Sequence, residues 1–470
     1  MLETRFRVGN SFFIKDQSHL ALFCLTPVVV FPFGSSHAGR AWFVARVAPA
    51  CEVEFAAREK REGQGFRKMF GRKLVFLINR FPCLVSWSVK ILNTLVGLGL
   101  ALAWPVMAQE VPKVMALGGA APAFSLRGTD GKFYSLASFA GSKVLCVIFT
   151  SNHCPDSVAA ASRMEPLHQD YKDQGVAVVA VSSNNPGSLT PDELGYSPFG
   201  DSYEEMLPFS KDFGWTFPYL YDGEKQELAT ACGAQSTPHV FVFNADRKLC
   251  YTGRMDEGRR NPGPVDHSQL RNALDAVLAG TEVKEPVTRS FGCSTKWLFK
   301  QAKVAADQAA WEKLPVTVAD LDEALSKKLR ENPSGKTRLI HFWSTTCGPC
   351  VKEFPDLVDT GRRFQNRAFE FISISLDAAE QRPAVSKFLE SRHAALPAPT
   401  AASLKQAGLT TNHFHWVGGN PDLMAKALDA EWSGALPHSI LVAPGGEILW
   451  RSNGETDAVE LRRQILKVLK

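Results

Sequence analysis

Two short, mainly apolar runs stand at corresponding places in the chain, Lys-Val-Leu-Cys-Val-Ile-Phe at 143–149 and Thr-Arg-Leu-Ile-His-Phe-Trp at 337–343. Runs of this length, rich in β-branched and aromatic residues, are the pattern of strands buried on both faces. Each enters a junction that contains cysteine, Ser151-Asn152-His153-Cys154-Pro155 in one case and Cys347-Gly348-Pro349-Cys350 in the other. A helical pattern follows, to about Tyr171 or Phe364, and then a second apolar strand at 176–181 or 369–376. Strands alternating with helices predict βαβ units around a mainly parallel sheet, so the fold class is α/β. The later parts match as well. Thr237-Pro238-His239 precedes a hairpin at 240–252, and Leu436-Pro437-His438 precedes one at 440–451. An amphipathic helix follows each; in the last, Leu461, Ile465 and Leu469 fall at helical spacing behind Thr456 and Asp457 as capping residues. Cys154 lies 84 residues before Pro238, and Cys347 lies 90 before Pro437. Shared order and spacing argue for a tandem duplication.

The predicted organisation is a leader over 1–108, a first copy over 112–285, a linker over 286–315 and a second copy over 316–470. A stretch rich in Gly, Pro and Ser at 184–203 reads as a surface insertion in the first copy. The leader carries the parts of an export signal: Arg72, Lys73, Arg80 and Lys90, then an apolar run at 91–104, then Val106-Met107-Ala108. The run is shorter than the roughly 20 residues that span a bilayer. Because such a signal starts a chain, Met69 is the expected start, with 1–68 an extension; a membrane segment near Leu20 to Phe33 is the competing reading. The protein is thus expected in the periplasm or secreted, by a cleavable signal, with a signal retained as a membrane anchor as the alternative.

The chain's formal net charge of +5 shifts once this leader is set apart. Residues 1–108 carry +8 and the remainder −3, so the folded part gives no reason to expect nucleic acid. Beyond the leader lie seven cysteines, Cys146, Cys154, Cys232, Cys250, Cys293, Cys347 and Cys350. In an oxidising compartment these pair or do chemistry, and an odd number leaves one over.

The strongest chemistry is at Cys347-Gly348-Pro349-Cys350. A thiolate attacks disulfides, and a helix N-terminus lowers the thiol pKa toward that form. Pro349 is tolerated in a first helical turn, and Cys350, three residues on, lies on the same side. A structural zinc site needs about four ligands, and the chain has no second C-x-x-C. The run Phe342-Trp343-Ser-Thr-Thr-Cys347-Gly-Pro-Cys350-Val-Lys-Glu353-Phe-Pro355 resembles the thioredoxin superfamily, and within it the TlpA/ResA branch. The resemblance implies a thioredoxin-like fold for each copy, Cys347 as nucleophile, Cys350 as resolving thiol, Glu353 as an acid beside them and Pro437 as a cis-proline facing them. His341 departs from that pattern, as a proton-handling group or a hydrogen-bonded core residue.

The run Ala121-Pro-Ala-Phe124-Ser-Leu126 with Asp130-Gly131 and Thr237-Pro238 resembles peroxiredoxin-type redoxin domains. The resemblance makes Cys154 a candidate catalytic thiol. Val147 and Ser151, however, stand where peroxidases carry Pro and Thr, and no Arg sits beside Pro238 in sequence. Compared with C-x-x-C, the resolving position is Ser157. Cys232 is the best alternative partner by chain position, Cys146 faces the core, Cys250 lies in a hairpin, and Cys293 in the linker is within reach of either copy. The expected activity is thiol–disulfide exchange on exported proteins, with a membrane thiol carrier supplying electrons and no cofactor. The alternatives are a thiol peroxidase at Cys154 recycled by Cys347/Cys350, and a metal-binding or non-catalytic module that uses runs such as Asn412-His413-Phe414-His415.

Overall fold

The computed structural model describes residues 28–32, 41–47, 53–59 and 110–469. The chain divides into two units, one ending at Met107 and one beginning at Ala108. In the first unit, β1 (Val28–Pro32), β2 (Ala41–Val47) and β3 (Val53–Glu59) form an antiparallel sheet in that order. The expected export signal over 69–108 lies outside the described residues. Among the described residues no helix is long and apolar enough to cross a membrane.

The second unit holds two sheets of one design. In the first, β4 (Ser125–Gly128), β5 (Phe133–Ser135), β6 (Val144–Thr150), β7 (Val176–Ser182), β8 (Tyr219–Tyr221), β10 (His239–Phe243) and β11 (Leu249–Gly253) run in the order β11-β10-β6-β7-β8-β4-β5. A two-residue strand, β9 (Ser236–Thr237), precedes β10 and pairs with β12 (Cys293–Ser294). The second sheet comprises β13 (Ala319–Leu321), β14 (Thr337–Trp343), β15 (Phe369–Ser375), β16 (His413–Trp416), β17 (His438–Val442) and β18 (Ile448–Asn453), in the order β13-β16-β15-β14-β17-β18. β6 and β14 occupy equivalent places, each parallel to the strand that follows it and antiparallel to the hairpin strand. Every residue of both is buried; β6 reads as a near-continuous apolar run for that reason, whereas β14 also buries Arg338 and His341, held by Glu370 and Ser439.

The helices are α1 (Pro155–Tyr171), α2 (Tyr203–Asp212), α3 (Glu227–Cys232), α4 (Gln269–Leu278), α5 (Gln301–Trp311), α6 (Glu323–Glu331), α7 (Gly348–Arg363), α8 (Arg382–Ser391), α9 (Ala398–Gln406), α10 (Pro421–Leu428) and α11 (Ala458–Val468). They cover both faces of each sheet. Met164, Leu167 and Tyr171 of α1 pack with Phe209 of α2 on one face of the first sheet; Phe241, Leu228 and Trp297 share the other. Asp457 caps α11 by accepting from Glu460 N at 2.9 Å, and Leu461 and Ile465 are buried as their spacing predicts.

Two stretches depart from expectation. Residues 184–203 are not a surface insertion: Asn184, Ser197, Phe199 and Asp201 are buried. Polar groups go inside here because each finds a partner, and Asn184 Nδ2 donates to Asp201 at 2.7 Å. Nor does the stretch expected to link the copies run free. Its β12 is paired to the first half, Trp297 is buried in the first core, and Asn185 N donates to Lys296 O at 2.9 Å. The two halves also meet directly, through Arg463 on Asp212 and Arg367 on the Gly195 carbonyl, and Trp311 of the connecting stretch donates to the His393 carbonyl of the second half.

Candidate functional site: two cysteine-capped helices

Each central strand delivers a cysteine to the N-cap of the following helix. In the second half β14 ends at Trp343 and Cys347 caps α7, with Pro349 in the first turn. The local sequence favours this arrangement, because a proline nitrogen needs no partner there and an extended residue is required at the cap. Cys347 and Cys350 are joined as a disulfide, with their Cα atoms 5.3 Å apart. Cys350 is buried, Cys347 is half-buried, and Cys350 N donates to Cys347 Sγ at 3.3 Å. Only one sulfur of the pair therefore faces outward. Two β-strand-terminal prolines are cis, Pro437 after Leu436 and Pro238 after Thr237.

Glu353 lies one turn further along α7 and is buried. Its Oε2 accepts from Thr456 N at 2.8 Å, while Oε1 has no partner among the described residues. Burial, reinforced by the neighbouring Glu455 and Asp356, pushes its carboxyl up to about 7 against that one backbone hydrogen bond. His341 Nε2, also without a partner, stands 3.7 Å from Glu353 Oε1. This is not an ion pair: burial, with His438 nearby, pulls His341 down to about 3, so the ring is neutral. Its Nδ1 meets Ser439 Oγ at 2.9 Å. Closing the remaining gap to hydrogen-bond distance takes a shift of well under about 1 Å. His341 is thus a hydrogen-bonded core residue that also faces the acid beside the disulfide.

In the first half Cys154 caps α1, with Pro155 as the first helical residue. It is fully buried. Its thiol donates to the Thr237 carbonyl at 3.0 Å, accepts from Cys293 N at 3.3 Å and is in hydrogen-bonding contact with the Cys293 thiol. Burial alone would raise the Cys154 pKa. The Cys293 thiol and N–H, the Ser157 N–H and the His153 charge together bring it below the ordinary thiol range. Cys293 moves the other way, raised by its bond to Cys154 and by burial.

Beneath these sulfurs lies a charge pair. His153 Nδ1 and Asp201 Oδ2 are 2.8 Å apart, and both side chains are buried. Burial opposes each charge, but the partners outweigh it, raising His153 and holding Asp201 below the usual carboxylate range. Asn184 Nδ2 and Asn152 N complete the Asp201 shell.

Cys347, Cys350, Glu353 and Pro437 belong to one end of the second half, and Cys154 to the matching end of the first. Cys232 is not the partner of Cys154. It is enclosed among Leu228, Phe149 and Phe241, and burial pushes its thiol up to about 12. Cys293 holds that place, and Asp201 and Asn184 are site residues that sequence reasoning overlooked. The metal reading finds no support: among the described residues no group of three or more His, Cys, Asp or Glu is placed to hold a metal ion. His413 spends both ring nitrogens, on Ser373 Oγ and the Ala394 carbonyl, and His415 bonds the Asp377 carbonyl.

Comparison with known proteins agrees with the duplicated plan. The family model described as Redoxin matches residues 116–274 and again 312–463. A relative named thiol-disulfide oxidoreductase ResA, from Halalkalibacterium halodurans, is 28% identical over 136 residues, covering 28% of this chain and 67% of its own. A putative peroxiredoxin of Mycobacterium tuberculosis is 27% identical over 140 residues, covering 30% and 78%. A solved structure of a hypothetical protein from Sinorhizobium meliloti 1021 is 36% identical and covers 39% of this chain and 96% of its own, with a TM-score of 0.35. With the family matched over two regions and a cysteine-capped helix in each, the chain belongs to the Redoxin family and is a thioredoxin-like oxidoreductase.

Proposed function

We propose that the protein is an exported thiol–disulfide oxidoreductase that reduces disulfides in other exported proteins through Cys347 and Cys350. The observation that carries this is the pair itself: a disulfide at a helix N-terminus with one enclosed and one accessible sulfur. After reduction by an external dithiol, the Cys347 thiolate, favoured by the helix field, attacks a substrate disulfide and expels one substrate thiolate. Cys350 then attacks Cys347 Sγ, expels the second substrate thiol and restores the internal disulfide. Glu353, with its carboxyl near neutrality, is suited to hold or release a proton in this sequence. Leu436 is half-buried and Ala435 exposed beside Pro437, which leaves an edge for an extended substrate. Relatives named as ResA oxidoreductases support the reaction class. Export rests on the leader pattern, and a membrane thiol carrier is the implied electron source.

The test is reduction of insulin by the full chain with dithiothreitol as donor. Cys347→Ser should abolish turnover, while Cys154→Ser should leave it. Loss in both variants would make the halves a relay; no turnover in the unaltered chain would overturn the reading. Relatives named as peroxiredoxins favour a second reading, peroxide reduction at Cys154. The complete burial of Cys154 stands against it, and peroxide-driven oxidation of Cys154 no faster than that of the half-exposed Cys250 would remove it.

A further inference from the structure

The chain around Cys293 is fastened to the first half on both sides. Upstream, Ser290 Oγ meets Ser236 Oγ at 2.7 Å. Downstream, Thr295 N donates to the Gln235 carbonyl at 3.0 Å, Lys296 N to Asn184 Oδ1 at 2.8 Å, and Trp297 is buried. Between them Cys293 pairs with Thr237 and Ser294 with Ser236, along the strand that leads into Pro238. The approach is so close that only glycine fits at 292: its φ is +131°, and a Cβ there would lie 1.9 Å from the Thr237 carbonyl oxygen. The edge that no strand covers in the second half, among the described residues, is thus occupied here by the chain's own β12, so an extended peptide has nowhere to pair. Cys154 is fully enclosed beneath it, whereas Cys293 is half-exposed between exposed Gly292 and Ser294.

We propose that Cys154 and Cys293 are a second redox-active thiol pair, in which Cys293 exchanges with small thiols and disulfides from solvent and Cys154 is the enclosed sulfur that makes and breaks the internal bond. This does not depend on the role of Cys347 and Cys350. In the oxidising direction Cys293 attacks one sulfur of a low-molecular-weight disulfide and loses its proton as the bond forms. The first small thiolate leaves and takes that proton. Cys154 then attacks Cys293 Sγ, forms the internal disulfide and expels the second small thiolate, which is protonated from solvent. Two electrons pass from the cysteine pair to the small disulfide, which becomes two thiols. In reverse, a small thiolate attacks Cys293 Sγ, the only sulfur of the pair within reach, and Cys154 departs as thiolate. The lowered Cys154 pKa suits it to that departure, because the better-stabilised thiolate leaves faster. The buried His153–Asp201 pair supplies part of that stabilisation.

The experiment uses the full chain carrying Cys347→Ser and Cys350→Ser, exposed to oxidised glutathione, quenched with acid and mapped by mass spectrometry. The expected product is a Cys154–Cys293 linkage, preceded by a transient glutathione adduct on Cys293; this time course needs no change in the first half. Adding Cys154→Ser should make the Cys293 adduct accumulate. Adding Cys293→Ser should leave Cys154 unmodified, at a rate at least tenfold below that of the Cys293 adduct. Gly292→Ala should slow the linkage at least tenfold while Cys293 still takes glutathione. An adduct appearing first on Cys154, a linkage to Cys146 or Cys232 instead, undiminished linkage in Gly292→Ala, or no linkage at all would overturn the proposal.

Discussion

In the second half the sulfur at the helix cap, Cys347, is half-buried, and its partner Cys350, one turn on, is enclosed. In the first half the cap sulfur, Cys154, is enclosed, and the half-buried Cys293 comes from a strand 139 residues further along. The acid–histidine pairs diverge in the same way. His153 and Asp201 are hydrogen-bonded and stabilise each other's charges; His341 and Glu353 stand apart, each driven toward its neutral form. One fold position therefore supports two kinds of thiol pair. A pair made by helix spacing leaves its edge free for a partner, whereas a pair made by a returning strand uses that edge up.

The comparison is tested most severely by serine at each cap. Cys347→Ser should lower insulin reduction by roughly 100-fold or more, because the accessible nucleophile is lost; Cys154→Ser should change it less than about twofold. Equal losses would mean that the two caps serve one reaction.

Next in size is the buried charge pair. Asp201→Ala strands His153 in a dry site and should cost about 3 kcal/mol in urea unfolding. Asp201 contributes above its ordinary carboxylate pKa and is lost as pH falls through its lowered value. His153 contributes below its ordinary pKa and is lost as pH rises through its raised value. The deficit should accordingly be greatest between about pH 4 and 6.5. A deficit independent of pH would show that packing, not charge, holds Asp201 in place.

The neutral pair should behave in the opposite sense. Below its ordinary value Glu353 is protonated in both states; between that value and about 7 the unfolded chain gives up a proton that the folded chain keeps. Stability should fall over that interval and level off above it, by roughly 1–2 kcal/mol after screening by solvent. Glu353→Gln should remove the slope, read as the difference between variant and unaltered chain at pH 5 and pH 8. A variant that retains the full slope would place the titration elsewhere. Smallest of all, Arg463→Ala removes a half-exposed contact between the halves, in which one guanidinium nitrogen donates to both Asp212 oxygens, and should cost no more than about 1 kcal/mol.

Much of this was readable along the chain. The apolar runs at 143–149 and 337–343, the two cysteine junctions and the two proline-led hairpins are local signals, and each became the expected element within a residue or two. Cys347 and Cys350 were legible because three-residue spacing on a helix is itself a geometric statement. Cys293 and Asp201 were not, since no periodicity connects them to Cys154 or His153. Composition misled at 184–203, where Gly, Pro and Ser suggest exposure, yet Asn184 and Asp201 are buried because they satisfy one another and His153. The nearest sequence signal was Gly292 beside Cys293, a glycine whose need is visible only once Thr237 stands against it.

By itself, then, the sequence determined the strands, the helix caps, the duplication and the dithiol of the second half, because each depends on residues near one another in the chain. Only the tertiary structure decided which sulfur of each half meets solvent, which acid meets which histidine, and that Cys293 rather than Cys232 faces Cys154. Those outcomes depend on which distant segments fill the space above each helix N-terminus, and burial, which sets both access and charge there, is a property of the packed chain.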